Sequence, residues 1–257
     1  MIYNLLKILF ESADTSRKSD LSAMLGIPSI YAQDYKSLTD DSGRVIQQVF
    51  FYGDEDKDGQ NSFINFMGMF RNKAEWKVED KPEWVTIRSA RGKPVYIYAN
   101  KPLYKPEEDL DEKAQLKLIE YLEKKNLQPT VVVHRGHSYH LPYTLKKLAP
   151  SARIVVLGSC GGYNNLNEVL TICRDAHIIS SKQVGTKTVN EPILKLLMPT
   201  WWPVRILTGS ICGRTWEGVL GTMQGPRKSL TITYLHIKTW ALSSLKPTAR
   251  QWVNKSF

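Results

Sequence analysis

The chain has 257 residues, of which 42% are hydrophobic and 23% are charged, and its formal net charge at pH 7 is +10. This composition is typical of a folded globular protein, and no apolar run approaches the roughly 18 to 20 residues that span a bilayer. We therefore expect no transmembrane segment. Three cysteines are too few for a disulfide framework, so we expect reduced thiols and a cytoplasmic protein.

The spacing of apolar residues predicts two short helices over residues 2–11 and 19–25, followed by alternating strands and helices. The later elements are strands over 45–52, 84–89 and 95–99, helices over 62–71 and 107–125, a strand ending at Val133, a helix over 143–148, a strand ending at Ser159, a helix over 166–174 and a strand over 177–181. This alternation predicts an α/β fold with a mostly parallel sheet flanked by helices on both faces.

The same pattern divides the chain into three parts. We expect a helical N-terminal segment over residues 1–42, an α/β domain over 43–198, and a basic, tryptophan-containing extension over 199–257. From Lys195 onward the chain carries nine basic residues against one acidic residue, Glu217. The extension is either a solvated tail or a contact surface for nucleic acid, another polyanion or an anionic membrane.

Two continuous β-branched runs carry the clearest functional signal. Residues 131–133 are followed by His134 and His137, and residues 154–157 are followed by Cys160. Runs without polar alternation predict strands that are covered on both faces of a parallel sheet. Because ligands bind at the carboxyl ends of such strands, we expect a histidine and a cysteine to meet there, as thiol-based nucleophilic catalysis requires.

These residues resemble the caspase-like cysteine peptidases, which include gingipain, clostripain, separase, legumain and the CHAT-domain proteins. The resemblance covers about residues 45–190 and is closest to the separase and CHAT style. It rests on Val-His-Arg-Gly-His at residues 133–137 and Val-Leu-Gly-Ser-Cys at 156–160. It implies a caspase-like sheet and a peptide or protein substrate.

The resemblance also implies residue roles. Cys160 corresponds to the nucleophile and His137 to its acid/base partner. Backbone N–H groups near Ser138 and Cys160 are candidates to stabilise the oxyanion. Gly161 and Gly162 would let a substrate backbone approach closely, and Gly136 is small enough to leave the cleft open. His134 is expected to orient or pack beneath the site, and it replaces His137 as the catalyst if the strand ends one residue earlier.

The three histidines His134, His137 and His140 also raise the question of zinc, because they lie three residues apart beside a cysteine. On an extended strand, a three-residue offset places His134 and His137 on opposite faces. We therefore expect no metal and no cofactor.

Two further segments are expected to border the substrate cleft. Asp54 and Asp56 follow the strand over 45–52 and provide either negative charge for a basic substrate side chain or only a solvated turn. Ser181 ends the strand over 177–181, and Lys182 and Gln183 follow it. Gly158 stands where caspases have Gln and clostripain-like enzymes have Asp, so no primary specificity carries over from the resemblance.

The sequence thus favours a cysteine endopeptidase of caspase-like type. A catalytically inactive, caspase-like interaction module is the first alternative, with the basic extension as its contact surface. A protein that binds nucleic acid or a membrane surface through that extension is the second.

Overall fold

The computed structural model describes residues 32–181, 187–197, 205–207 and 232–233. The two helices predicted over residues 2–11 and 19–25 and most of the C-terminal extension lie outside the described residues.

The elements follow one another in the alternating order that the sequence predicts. The strands are β1 (Ala32–Asp34), β2 (Val45–Phe51), β3 (Trp76–Asp80), β4 (Trp84–Ser89), β5 (Val95–Asn100), β6 (Val131–Arg135), β7 (Ile154–Gly158), β8 (His177–Ser181), β9 (Arg205–Leu207) and β10 (Ile232–Thr233). The helices are α1 (Asp58–Gly68), α2 (Leu110–Lys124), α3 (Leu141–Lys146), α4 (Leu166–Ile172) and α5 (Lys187–Leu197). Short 3-10 turns cover Tyr35–Leu38, Ser138–His140 and Gly162–Asn165.

Eight strands form one sheet in the order β10-β8-β7-β6-β2-β5-β4-β3. The strands from β8 to β5 are parallel to their neighbours, and β10, β4 and β3 add antiparallel pairs towards the edges. A mostly parallel, mixed sheet with helices confirms the predicted α/β class. Separately, β1 and β9 form a small antiparallel pair.

Helices cover both faces of this sheet. Phe66 of α1 and Ile193 of α5 share a buried cluster with Val133 on one face. Leu141 of α3 packs with Val132 on the other face, where α2 and α4 also lie. Because consecutive strand residues point to opposite faces, a strand covered on both sides must be apolar throughout, which explains the continuous valine run of β6.

The strand order reverses between β2 and β6. From β2 the chain continues through β3, β4 and β5 on one side, and α2 then returns it to β6 on the other side of β2. The carboxyl ends of β2 and β6 are neighbours, with Phe51 paired to Arg135. Because the helices that follow these strands, α1 and α3, pack on opposite faces, a crevice opens between the two strand ends.

Some elements differ from the sequence prediction. Strand β3 was not predicted, because it is an edge strand with one buried and four exposed residues and its charged side chains are typical of a loop. Helix α1 begins at Asp58, earlier than the apolar stripe indicated, and α5 was not predicted. Among the described helices, none combines the length and the apolar character needed to cross a membrane.

Candidate functional site

His137 and Cys160 occupy equivalent positions after two neighbouring parallel strands. Arg135, the last residue of β6, is paired with Gly158, the last residue of β7. His137 and Cys160 each follow two residues later. Because paired strands lie about 4.8 Å apart, this register brings the imidazole and the thiol to the same edge of the sheet. Both residues are partly exposed there.

The imidazole of His137 is held by an acidic residue from a different strand. Its Nε2 lies 2.9 Å from Asp56 Oδ2 and 4.0 Å from Asp54 Oδ2. The ring also stacks on Tyr139, with the centroids 5.2 Å apart. In the described part of the chain, no hydrogen bond joins the Cys160 thiol to this imidazole. Since Nε2 faces Asp56, Nδ1 is the ring nitrogen left to exchange a proton with a thiol.

Asp54 is buried and receives two hydrogen bonds on one oxygen. The hydroxyl of Tyr139 donates to Oδ1 at 2.7 Å, and His140 Nε2 lies 2.9 Å from the same atom. Burial and this hydrogen bond raise the pKa of Tyr139 above its ordinary value, which keeps the hydroxyl a donor. His140 in turn stacks on Tyr52, with centroids 4.3 Å apart. Asp54 therefore fixes the loop after β2 against the turn after β6.

His134 lies beneath this layer. It is fully buried, and its Nδ1 lies 2.7 Å from Thr144 Oγ1, which also shares a hydrogen bond with the Tyr52 hydroxyl at 2.8 Å. Burial lowers the pKa of His134 to about 3, so its imidazole is neutral at physiological pH. The structure thus places His134 as a packing and orienting residue, whereas His137 is the partly exposed histidine at the strand edge.

The turn that carries Cys160 is supported from inside the protein. Arg135 Nη1 donates to the Gly158 carbonyl oxygen at 3.3 Å, and Asn190 Nδ2 donates to the same oxygen at 3.4 Å. Burial lowers the pKa of Arg135, and the carboxylates of Glu191 and Asp58 oppose this shift. Immediately after Cys160, Gly161 has a φ of +61°, a left-handed conformation that glycine adopts without steric cost. This geometry turns the chain directly after the cysteine.

The other described cysteine is different. Cys173 is buried at the end of α4, and its thiol donates to the Ala149 carbonyl oxygen at 3.2 Å. Burial raises the pKa of the Cys173 thiol to about 11. Cys212 lies outside the described residues. Of the two described thiols, Cys160 is therefore the one that is accessible to a substrate.

The remaining predicted site residues are distributed around this edge. Ser138 begins the 3-10 turn after β6, and Gly136 lies against the Tyr52 ring. Asp56 is exposed and contacts His137, whereas Asp54 is mostly buried. Ser181 ends β8, and Lys182 and Gln183 lie outside the described residues.

A cavity of about 570 Å³ lies beside the loop that follows β2. Its lining residues come from this loop, the start of α1 and the segment after β5, and include Asp54, Gln60 and Tyr104. Neither His137 nor Cys160 lines it. The lining of this cavity therefore includes neither the imidazole nor the thiol of the candidate pair.

One group in the described residues has the composition of a metal site. Ligand atoms of Asp54, Asp56 and His137 all lie within 4.8 Å of one another. The three histidines considered from the sequence do not form such a group, because His134 is bonded to Thr144 and His140 to Asp54. Sequence spacing could not reveal the actual set, since Asp56 and His137 are 81 positions apart.

Sequence reasoning also missed Tyr139, Thr144 and Asp111. Asp111 accepts backbone hydrogen bonds from Gly53 at 2.6 Å and from Leu103 at 2.7 Å, and so ties the loop after β2 to the segment after β5. The only sequence signal for it was the acidic start of the predicted helix over 107–125.

Comparison with known proteins adds no relative: no protein-family model, curated protein or solved structure matches this chain.

Proposed function

We propose that this protein is a cysteine endopeptidase of caspase-like type, with Cys160 as nucleophile and His137 as acid and base. The observation that carries the proposal is the register of β6 and β7, which gives the histidine and the cysteine equivalent positions after paired strand ends. The mostly parallel sheet covered by helices on both faces agrees with a caspase-like arrangement. The substrate class is a peptide or protein.

The reaction begins when the Cys160 thiol gives its proton to His137 Nδ1 and the sulfur attacks a peptide carbonyl carbon. The carbonyl oxygen becomes an oxyanion, which backbone N–H groups near Ser138 and Cys160 stabilise. Collapse of this intermediate breaks the C–N bond, and the imidazolium returns the proton to the departing amine. Water then attacks the thioester carbonyl carbon and gives a proton to His137. The C–S bond breaks, His137 returns the proton to the sulfur, and the carboxylic acid product is released with the thiol restored.

Asp56 has an orienting role in this scheme. Its Oδ2 lies 2.9 Å from Nε2 of the imidazole, so Nδ1 remains available to the thiol. The negative charge of Asp56 also stabilises the imidazole ring when it carries two protons. Hydrogen bonds in a catalytic pair often tighten only when substrate is bound, so the absence of a direct thiol–imidazole bond between these described residues agrees with an unliganded site.

The proposal is tested by labelling the full chain with a peptidyl acyloxymethyl ketone carrying a mixture of residues at the position before the ketone. The modified cysteine is identified by mass spectrometry. We expect labelling at Cys160, no labelling of Cys160→Ala, and at least a tenfold slower rate in His137→Ala, because the base contributes about 10²-fold or more in such reactions.

Cys173→Ala is the matched control and should be labelled as fast as the wild type. A thiol with a pKa of about 11 is ionised in roughly one molecule in a thousand at pH 8. Labelling that persists in Cys160→Ala, or that does not depend on His137, would contradict the peptidase and leave the inactive interaction module. Cleavage of a peptide library by wild type and not by Cys160→Ala would extend the result from reactivity to catalysis.

A further inference from the structure

The crevice between β2 and β6 holds three side chains of the kinds that bind metal ions, of which the peptidase proposal uses His137 and Asp56 but not Asp54. Asp54 and Asp56 enter it from the loop after β2, and His137 enters from the turn after β6. This is where the strand order of the sheet reverses, and ligands of open α/β sheets bind outside the carboxyl ends of strands at such a position. The side chains that could bind a metal ion therefore lie at the position where this type of sheet usually binds its ligand.

The distances between the ligand atoms suit a small divalent ion. His137 Nε2 lies 2.9 Å from Asp56 Oδ2 and 4.0 Å from Asp54 Oδ2. Atoms that bind Zn²⁺ at about 2.0 to 2.2 Å are about 3 to 3.6 Å from one another in a tetrahedral arrangement. The two distances from His137 Nε2 lie on either side of that spacing.

Asp54 supplies a second, independent indication of a ligand. The residue is 9% exposed, and its Oδ2 is buried and accepts no hydrogen bond from the described residues. Its other oxygen is already bonded to Tyr139 and His140, so the carboxylate cannot rotate freely to find a donor. His137 Nε2 lies 4.0 Å from this oxygen, which is too far to donate a hydrogen bond. A buried carboxylate oxygen without a donor is destabilising, and a cation bound between the two groups would satisfy it.

We propose that Asp54, Asp56 and His137 bind a divalent cation of the Zn²⁺ class, with water completing its coordination. Two carboxylate oxygens and one imidazole nitrogen form a ligand set without thiolate, which Zn²⁺ accepts in sites that keep a position open. Tyr139 and His140 hold Asp54 from the outer side, as hydrogen-bonding partners commonly do for metal ligands.

The experiment is calorimetric titration of the full chain with Zn²⁺ at pH 7.5, after treatment with a chelator. We expect one saturable site in the wild type. Asp56→Asn and His137→Ala should each weaken the affinity at least tenfold, in line with the loss of one ligand. Asp58→Asn is the matched control, because it removes the same charge from the first residue of α1, directly after this loop, without removing a ligand, and its affinity should stay within twofold of the wild type.

Co²⁺ provides a spectroscopic readout of the ligand type. The Co²⁺ complex should show visible d–d bands without the near-ultraviolet band of a Co–thiolate bond, and Cys160→Ser should leave this spectrum unchanged. Absence of a saturable Zn²⁺ site, equal weakening by Asp58→Asn and His137→Ala, or a thiolate band would overturn the proposal and leave an Asp–His ion pair. Because Cys160→Ser removes the proposed nucleophile but no metal ligand, failure of the peptidase and failure of the metal site are separately visible.

Discussion

Asp111 shows how one buried side chain links pH to the loop that carries the acidic site residues. Its two carboxylate oxygens accept the backbone N–H groups of Leu103 and Gly53, which precedes Asp54. Burial raises the pKa of Asp111 to about 7, although both hydrogen bonds oppose that shift. The side chain therefore changes its charge within the physiological range while it connects two loops at the carboxyl edge of the sheet.

The first prediction concerns the free energy of unfolding in Asp111→Asn. The native state keeps the Asp111 proton up to about pH 7, whereas an aspartate in the unfolded chain loses it near the ordinary pKa of 3.8. The native state thus binds more protons between these values, and this contribution to stability is present at low pH and lost as pH rises towards 7. At pH 4.5 the protonated carboxyl has one acceptor oxygen and one O–H donor, much like the asparagine amide, so we expect stabilities within about 1 kcal/mol of each other there. Because only the wild type loses stability as Asp111 ionises, we expect the difference to shift in favour of Asp111→Asn by more than about 1 kcal/mol at pH 7.5.

Urea denaturation of both proteins at several pH values from 4.5 to 7.5 measures this difference. Asp41→Asn is the control, because Asp41 is exposed in the turn before β2 and its charge is not among the causes of the Asp111 pKa shift. A stability difference between wild type and Asp111→Asn that is constant across this pH range would contradict the prediction.

At the scale of elements, the start of α1 approaches the end of β2 so closely that only glycine fits. A Cβ atom added to Gly59 would lie 1.5 Å from the carbonyl oxygen of Tyr52. At the other end of the same helix, a Cβ on Gly68 would meet only the Arg71 side chain, at 3.9 Å. The close approach at Gly59 keeps the loop with Asp54 and Asp56 short and directed over the strand ends.

The second prediction compares these two glycines. Gly59→Ala must displace backbone and should destabilise the fold by at least about 2 kcal/mol. Gly68→Ala adds a methyl group where there is space and should be neutral or stabilise by up to about 1 kcal/mol, because alanine loses less entropy in a helix. Chemical denaturation followed by circular dichroism measures both, and equal effects of the two substitutions would show that the contact at Gly59 does not constrain the loop.

At the scale of the whole molecule, the excess of positive charge lies mainly in the C-terminal extension, whose residues are mostly outside the described ranges. A charge of +10 over 257 residues favours contact with polyanions if the basic side chains are accessible. Phosphate neutralisation releases counterions, so such binding must weaken as salt concentration rises.

The third prediction uses a single-stranded thymidine oligonucleotide as the probe in fluorescence anisotropy. We expect binding at 50 mM salt that weakens at least tenfold at 200 mM, and a salt slope that falls by about 2 when Lys246, Arg250 and Lys255 are changed to Glu. Reversal of Lys77, Lys124 and Lys125, which are exposed in the α/β domain, changes the net charge equally and is the control. No binding at low salt, or equal loss in both triple variants, would show that the extension is not a polyanion site.

The sequence by itself determined the class of fold and the two strands that carry the candidate site. Strands β6 and β7 are buried on both faces, and burial on both faces requires the continuous apolar runs that made them recognisable. His137 and Cys160 follow these runs directly, so their positions at strand ends were readable. The helix predicted over 107–125 was similarly visible from its acidic start and apolar spacing, and the structure has α2 over Leu110–Lys124.

Only the tertiary structure decided which side chains meet at that edge. Asp56 reaches His137 across 81 positions because β2 is inserted between β5 and β6, and no local pattern encodes the order of strands in a sheet. The same long-range pairing placed Asp54 against Tyr139 and His140, whereas the sequence left open whether this acidic loop faces a substrate or is only a solvated turn. Local periodicity records which faces of an element are buried, whereas the contacts between elements depend on packing that distant residues determine together.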